Sequence, residues 1–143
     1  MSAINGRQFL QIPGPTNVPD RVLRAMARPT IDHRGPEFGV LGREVLSELR
    51  PIFKTTHPVI VYPASGTGAW EAALVNTLSP GDAVLMVETG WFATLWQQMA
   101  TKLGLQPELI PTDWRRGADP AAVEARLAED RNHSIKAVCV VHN

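Results

Sequence analysis

Four small residues, Ser65-Gly66-Thr67-Gly68, stand between an apolar run at 59–62 and a helical pattern. At such a junction backbone N–H groups and two hydroxyls converge, and the positive end of the helix dipole adds to the pull on an anion. A phosphate fits this arrangement. The segment is not a Walker A loop, because no Gly-Lys-Ser/Thr follows, and it departs from a dinucleotide fingerprint because Glu71 stands where the third glycine belongs. Read from its own residues, it fits an anion cradle and an ordinary turn capped by Ser or Thr equally well. A second candidate follows one predicted strand later: Trp91 and Phe92, after Thr89-Gly90, offer an aromatic face at a carboxyl strand end. Alone, these rings read as core between helix and sheet. Together with the small-residue turn they suit a flat heteroaromatic phosphate such as pyridoxal phosphate, which needs both an anion cradle and a stacking ring.

Other reactive side chains carry less. His33 and Arg34 lie in a polar loop, where Arg34 has the fork geometry to grip a carboxylate and also the ordinary role of a solvated surface charge. His57, His133 and His142 are scattered, and with a single cysteine no cluster has metal-ligand spacing, so no metal is expected. Cys139 alternates with Val138 and Val140 and reads as a packed thiol rather than a nucleophile. Lys54, Lys102 and Lys136 are the only lysines, each in a helical or strand context, and none reads as a residue that bonds a cofactor aldehyde. No catalytic residue is assigned.

The elements that must position these groups follow from composition and pattern. With 143 residues, 44% of them hydrophobic, the chain suffices for one globular layer structure. Fourteen basic and fourteen acidic residues cancel, which argues against a polynucleotide or acidic-membrane partner. The lone cysteine, the interruption of the start by Gly6, Arg7 and Pro13, and the lack of an apolar run near the roughly 20 residues of a bilayer span lead us to expect a cytoplasmic protein. Residues 12–19 (IPGPTNVP) must form a shaped loop. Asp20 is expected to cap a helix over 20–27, and a longer helix runs from about 38 to 54. Then α/β grammar sets in, with a strand at 59–62, a helix at 69–78, a turn at 79–82 and a strand at 83–88. A helix at 91–103 closed by Gly104, a strand at 108–111, a helix opened by Asp119-Pro120 and a strand at 135–141 complete the pattern. The last strand is β-branched almost throughout, which predicts burial on both faces of a parallel sheet. It ends where functional loops would be expected to begin, so the chain reads as part of something longer.

The segments IPGPTNVP, IDHRGPEF, ASGTGAWEAALVNTLSPGD, GWFATLW and IKAVCVVHN, in this order and spacing, resemble the serine–glyoxylate aminotransferases. These belong to the class V, fold-type I pyridoxal-phosphate enzymes, with the alanine–glyoxylate aminotransferases close by. The resemblance spans nearly the whole chain. It implies a three-layer α/β fold with a mostly parallel sheet, in which residues 1–57 form an N-terminal arm with dimer contacts and residues 58–143 begin the cofactor-binding large domain. It further implies a homodimer that takes an amino group from serine, giving hydroxypyruvate, and passes it to glyoxylate, giving glycine, in ping-pong fashion. Position by position, Ser65, Gly66 and Thr67 match the phosphate-cradling turn and Phe92 the ring that stacks on the cofactor. Gly14, Thr16 and Asn17 match a segment lining the substrate pocket, and His33 and Arg34 a loop reaching toward the partner subunit's site. The lysine that bonds the cofactor, the aspartate facing its ring nitrogen and the substrate-clamping arginine fall beyond the position of Asn143 in that family. Three alternatives stay open: the same fold with another donor or a desulfurase-like reaction, a non-catalytic binding or assembly module, and a dinucleotide-binding domain disfavoured by Glu71.

Overall fold

The structure is a computed structural model that describes residues 9–12 and 14–142. Gly6, Arg7, Pro13 and Asn143, used in the reading above, lie outside them. The chain divides into two compact units, residues 1–60 and 61–143.

In the first unit the proline-rich segment is a loop, held by the Leu10 N–H donating to Asn17 Oδ1 at 2.8 Å. Helix α1 covers Asp20–Met26. Its cap is Pro19, whose carbonyl accepts from the Val22 and Leu23 N–H groups at 2.9 and 3.1 Å. Asp20 is therefore the first helical residue rather than the cap, and its carboxylate meets the positive helix end from inside the first turn. Helix α2 spans Pro36–Ile52, with Pro36 in the first turn, where its missing N–H costs nothing, and Pro51 in the last. Neither helix buries a residue.

The second unit holds α3 (Gly66–Thr77), β1 (Ala83–Glu88), α4 (Trp91–Lys102), β2 (Gln106–Pro111), α5 (Pro120–Glu129) and β3 (Ile135–Cys139). All pairings are parallel, in the order β2-β1-β3, so β1 is central. Its Val84, Leu85, Met86 and Val87 are at most 2% exposed, as expected of a strand covered on both faces. Val84 and Met86 join Ala137 and Cys139 of β3 and Leu109 of β2 against Leu74 of α3, Trp96, Met99 and Ala100 of α4, and Leu78 and Leu103, which cap the two helices. On the opposite face, in register with Leu85, Glu108 is gripped by the Arg126 guanidinium of α5 through two parallel hydrogen bonds, the Nη2–Oε2 bond at 2.8 Å. The helices thus lie on both faces of the sheet, giving the three layers of an α/β fold.

Gly104 closes the β1-α4-β2 unit at φ +79°, a conformation that strains any L side chain, and its carbonyl accepts from the Gly81 N–H at 2.8 Å. Asp119 caps α5 by accepting from the Ala121 N–H at 2.9 Å, ahead of Pro120. No helix among the described residues is long and apolar enough to cross a membrane.

Two expectations are corrected. Residues 59–62 pair with no described strand, and Ile60, Val61 and Tyr62 are all more than half exposed. An apolar run marks a strand only if a ladder partner meets it, and this one is bracketed by Pro58 and Pro63. Strand β3 stops at Cys139 and is buried on one face only, with Val138 and Val140 more than 40% exposed. On that side α5 and Val140 leave an open apolar groove of about 750 Å³. Cys139 points the other way, into the α3/α4 core, and burial pushes its thiol pKa up, as suits a packed and unreactive group.

Candidate functional site

Helix α3 begins at Gly66, three residues before the predicted start at Ala69. Ser65 is extended (φ −91°, ψ −179°) and its carbonyl accepts the Gly68 N–H at 3.0 Å, while its hydroxyl makes no capping bond. Gly66, Thr67 and Gly68 therefore form the first helical turn rather than a loop ahead of it. Glycine is demanded at 68 by proximity: a Cβ there would stand 2.7 Å from Ala64 Cβ, closer than carbon atoms pack. At Gly66 a Cβ would meet nothing within 4 Å, so the space in front of the turn is open.

The Gly66 and Thr67 N–H groups are orphan donors of a helix start, and with the Ser65 and Thr67 hydroxyls they make no hydrogen bond among the described residues. Two N–H and two O–H donors around open space at a helix N-terminus form a set suited to a phosphate. The fit to pyridoxal phosphate is thus met on its anionic side by residues present in the chain.

Phe92 is the second residue of α4 and half exposed. It approaches α3 through Trp70, which the sequence reading did not single out: the two ring centroids lie 6.1 Å apart at 70°. Trp70 also stacks on Trp96, one turn further along α4, at 5.4 Å and 18°. Its spacing of four from Leu74 reads as core, and the available signal was the pair Phe92 and Trp96, four apart on one face of the next helix. The helix that starts with the donor-bearing turn thus meets the predicted stacking ring through Trp70, although no strand at 59–62 brings turn and ring side by side as expected.

The rim behind this cluster is laced by threonines. Buried Thr89 donates its hydroxyl to the Val141 carbonyl at 3.2 Å, and Thr112 donates to the Glu88 carbonyl at 2.6 Å, tying together the carboxyl ends of all three strands. The lysines of this unit stand elsewhere: Lys102 ends α4, ten residues from Phe92, and Lys136 Nζ donates to the His133 carbonyl at the start of β3.

The remaining predicted residues belong to the first unit. Gly14, Thr16 and Asn17 lie exposed in the opening loop, where Asn17 is engaged by Leu10. His33 and Arg34 form an exposed turn built on Asp32, whose carboxylate accepts the Arg34 N–H at 2.9 Å and whose carbonyl accepts the Gly35 N–H at 3.0 Å. The Arg34 guanidinium makes no hydrogen bond or ion pair among the described residues.

Comparison with known proteins gives the family. Residues 39–143 match the model of the DegT/DnrJ/EryC1/StrS aminotransferase family. The chain is similar to the serine–glyoxylate aminotransferase of Methylorubrum extorquens, 48% identical over 96% of this chain and 35% of that protein. It is also similar to the serine–glyoxylate aminotransferase of Arabidopsis thaliana, 42% identical with the same coverage. The chain spans about a third of the length of these relatives. Among solved structures, the alanine–glyoxylate aminotransferase of Nostoc sp. superposes with a TM-score of 0.72 at 29% identity, covering 91% of this chain and 38% of that one.

Proposed function

Because the chain belongs to the DegT/DnrJ/EryC1/StrS aminotransferase family, whose relatives and fold imply pyridoxal 5'-phosphate as cofactor, we propose that the complete protein is a serine–glyoxylate aminotransferase. In this reading serine gives up its amino group to leave hydroxypyruvate, and glyoxylate then receives it to give glycine, in two half-reactions at one site. Transfer from alanine is the second reading, favoured by the name of the Nostoc relative. The observation that carries the proposal is the pairing of an open, donor-bearing turn with a half-exposed aromatic ring on adjoining helices.

When bound, the cofactor supplies an aldehyde to take up the amino group and a protonated ring to draw off electrons as the α-proton leaves. The chain's own part is to hold and orient. The Ser65 and Thr67 hydroxyls and the Gly66 and Thr67 N–H groups bind the phosphate, helped by the α3 dipole. Phe92 offers its exposed face to the pyridine ring and excludes water from it. Gly14, Thr16 and Asn17 line the substrate pocket, and the Arg34 guanidinium, with His33, attracts carboxylate from across a homodimer whose contacts include the exposed apolar residues of α1 and α2. The lysine that bonds the cofactor and the substrate-clamping arginine belong to the remaining length of the polypeptide, and the protein works in the cytoplasm.

The test is to mix the complete protein with pyridoxal 5'-phosphate, serine and glyoxylate and to follow hydroxypyruvate. Turnover is expected, faster with serine than with alanine, and Thr67→Ala should weaken cofactor binding about tenfold by removing a hydrogen bond to a charged group. A colourless mixture that transfers no amino group from either donor would overturn the reading and leave a non-catalytic binding module.

A further inference from the structure

We propose that Trp70 is a positioning residue that sets the ring plane of Phe92 relative to the phosphate-holding turn of α3. The inference rests on the functional reading above. A cofactor whose phosphate and ring are covalently joined demands a fixed geometry between the group that holds the one and the group that stacks on the other. Here these groups sit on different helices, Thr67 on α3 and Phe92 on α4. Trp70 follows Thr67 by three residues, so one turn of hydrogen-bonded helix joins it to the donors. Its indole meets Phe92 edge to face at 6.1 Å and 70°, and stacks on Trp96 at 5.4 Å and 18°. Phe92 and Trp96 are four residues apart on α4, so Trp70 touches that helix at two successive turns.

A half-exposed phenylalanine has a broad χ2 well and turns about it unless a neighbour stops it. The T-shaped contact is that stop. The Trp96 indole is held in the stack although its Nε1 is buried without a hydrogen-bond partner among the described residues. Ring packing, rather than a polar tie, therefore fixes the cluster. An aliphatic residue at 70 would fill space toward Leu74 but present no ring to Phe92.

The experiment uses the complete protein and pyridoxamine 5'-phosphate, which binds without a covalent bond to the protein. Trp70→Leu is expected to raise its Kd about tenfold, a factor within reach of two lost aromatic contacts, and to diminish the circular dichroism induced in the bound cofactor at saturation. Trp70→Phe, which keeps a ring, should lose about threefold and retain part of the signal. If Trp70→Leu fails to fold, Trp70→Phe alone decides, since unchanged affinity and dichroism in that variant overturn the proposal. The proposal also falls if Trp70→Leu binds and signals like the parent while Phe92→Leu loses both, because Trp70 is then only a core residue. A parent protein that binds no pyridoxamine 5'-phosphate would instead sink the functional reading itself, and this inference with it.

Discussion

Helix α2 and strand β1 are both rich in large apolar side chains, and their surroundings differ completely. In α2, Phe38, Val40, Leu41, Val45, Leu46 and Ile52 are each more than 40% exposed, whereas in β1 four consecutive residues are at most 2% exposed. Strand β1 is covered because its ladder partners and the helices on its faces are close in sequence. An amphipathic stripe shows that a face is made for covering; it does not say by what.

Substitutions at matched positions sharpen the contrast. Leu85→Ala should destabilise the protein by about 3 kcal/mol at any protein concentration, the cost of a cavity in a packed core, while the smaller cost of Leu46→Ala should vary with protein concentration, as for a face covered only in a dimer, both read from urea unfolding. Equal losses that do not vary with protein concentration would break the comparison and mean that α2 is buried within its own chain, with no self-association seen in sedimentation. Within the second unit, Gly68→Ala should cost about 1–3 kcal/mol because its Cβ collides with Ala64. Gly66→Ala, facing open space, should leave stability nearly intact yet impair phosphate binding, so the two alanines separate scaffold from site.

Smaller effects test the ends of α5. Asp119→Ala removes the one side-chain bond that caps this helix and should cost about 1 kcal/mol in the same assay. At the other end Asp130 is held at a pKa of about 2, below its ordinary 3.8, chiefly by the Ser134 hydroxyl and then by the Ile135 N–H. A carboxylate with a lowered folded-state pKa stabilises fully above its unfolded value. That contribution fades as pH falls from about 4 toward 2. Asp130→Asn should flatten this part of the pH-stability curve, and an unchanged slope would show that the turn does not depend on the charge.

Much of the second unit was legible in the sequence. The run 83–88 is bounded by a Ser79-Pro80-Gly81-Asp82 turn and by Thr89-Gly90, and the strand occupies those residues without a shift. Asp119-Pro120 likewise marked the start of α5 because cap and ring constraint act locally. Where the reading failed, the deciding force was not local. Residues 59–62 look like a strand but strandedness needs a partner, and the glycines at 66 and 68 look like a loop although close approach to Ala64 lets a helix start there. The site shows the same division. Residue type drew attention to the turn at Ser65, Gly66 and Thr67 and to the pair Trp91 and Phe92, and the resemblance singled out Phe92, while Trp70 emerged only from the packing of two helices.

The threonine laces at the sheet rim carry a consequence for exchange kinetics. Thr89 and Thr112 fasten the backbone just past β1 and β2 to neighbouring strands, so these ends do not fray separately from the central strand. The β1 amides bonded into the ladder should therefore take up deuterium on the timescale of global rather than local unfolding out to the end of the strand. The rim of the second unit is thus tied at the carboxyl ends of all three strands.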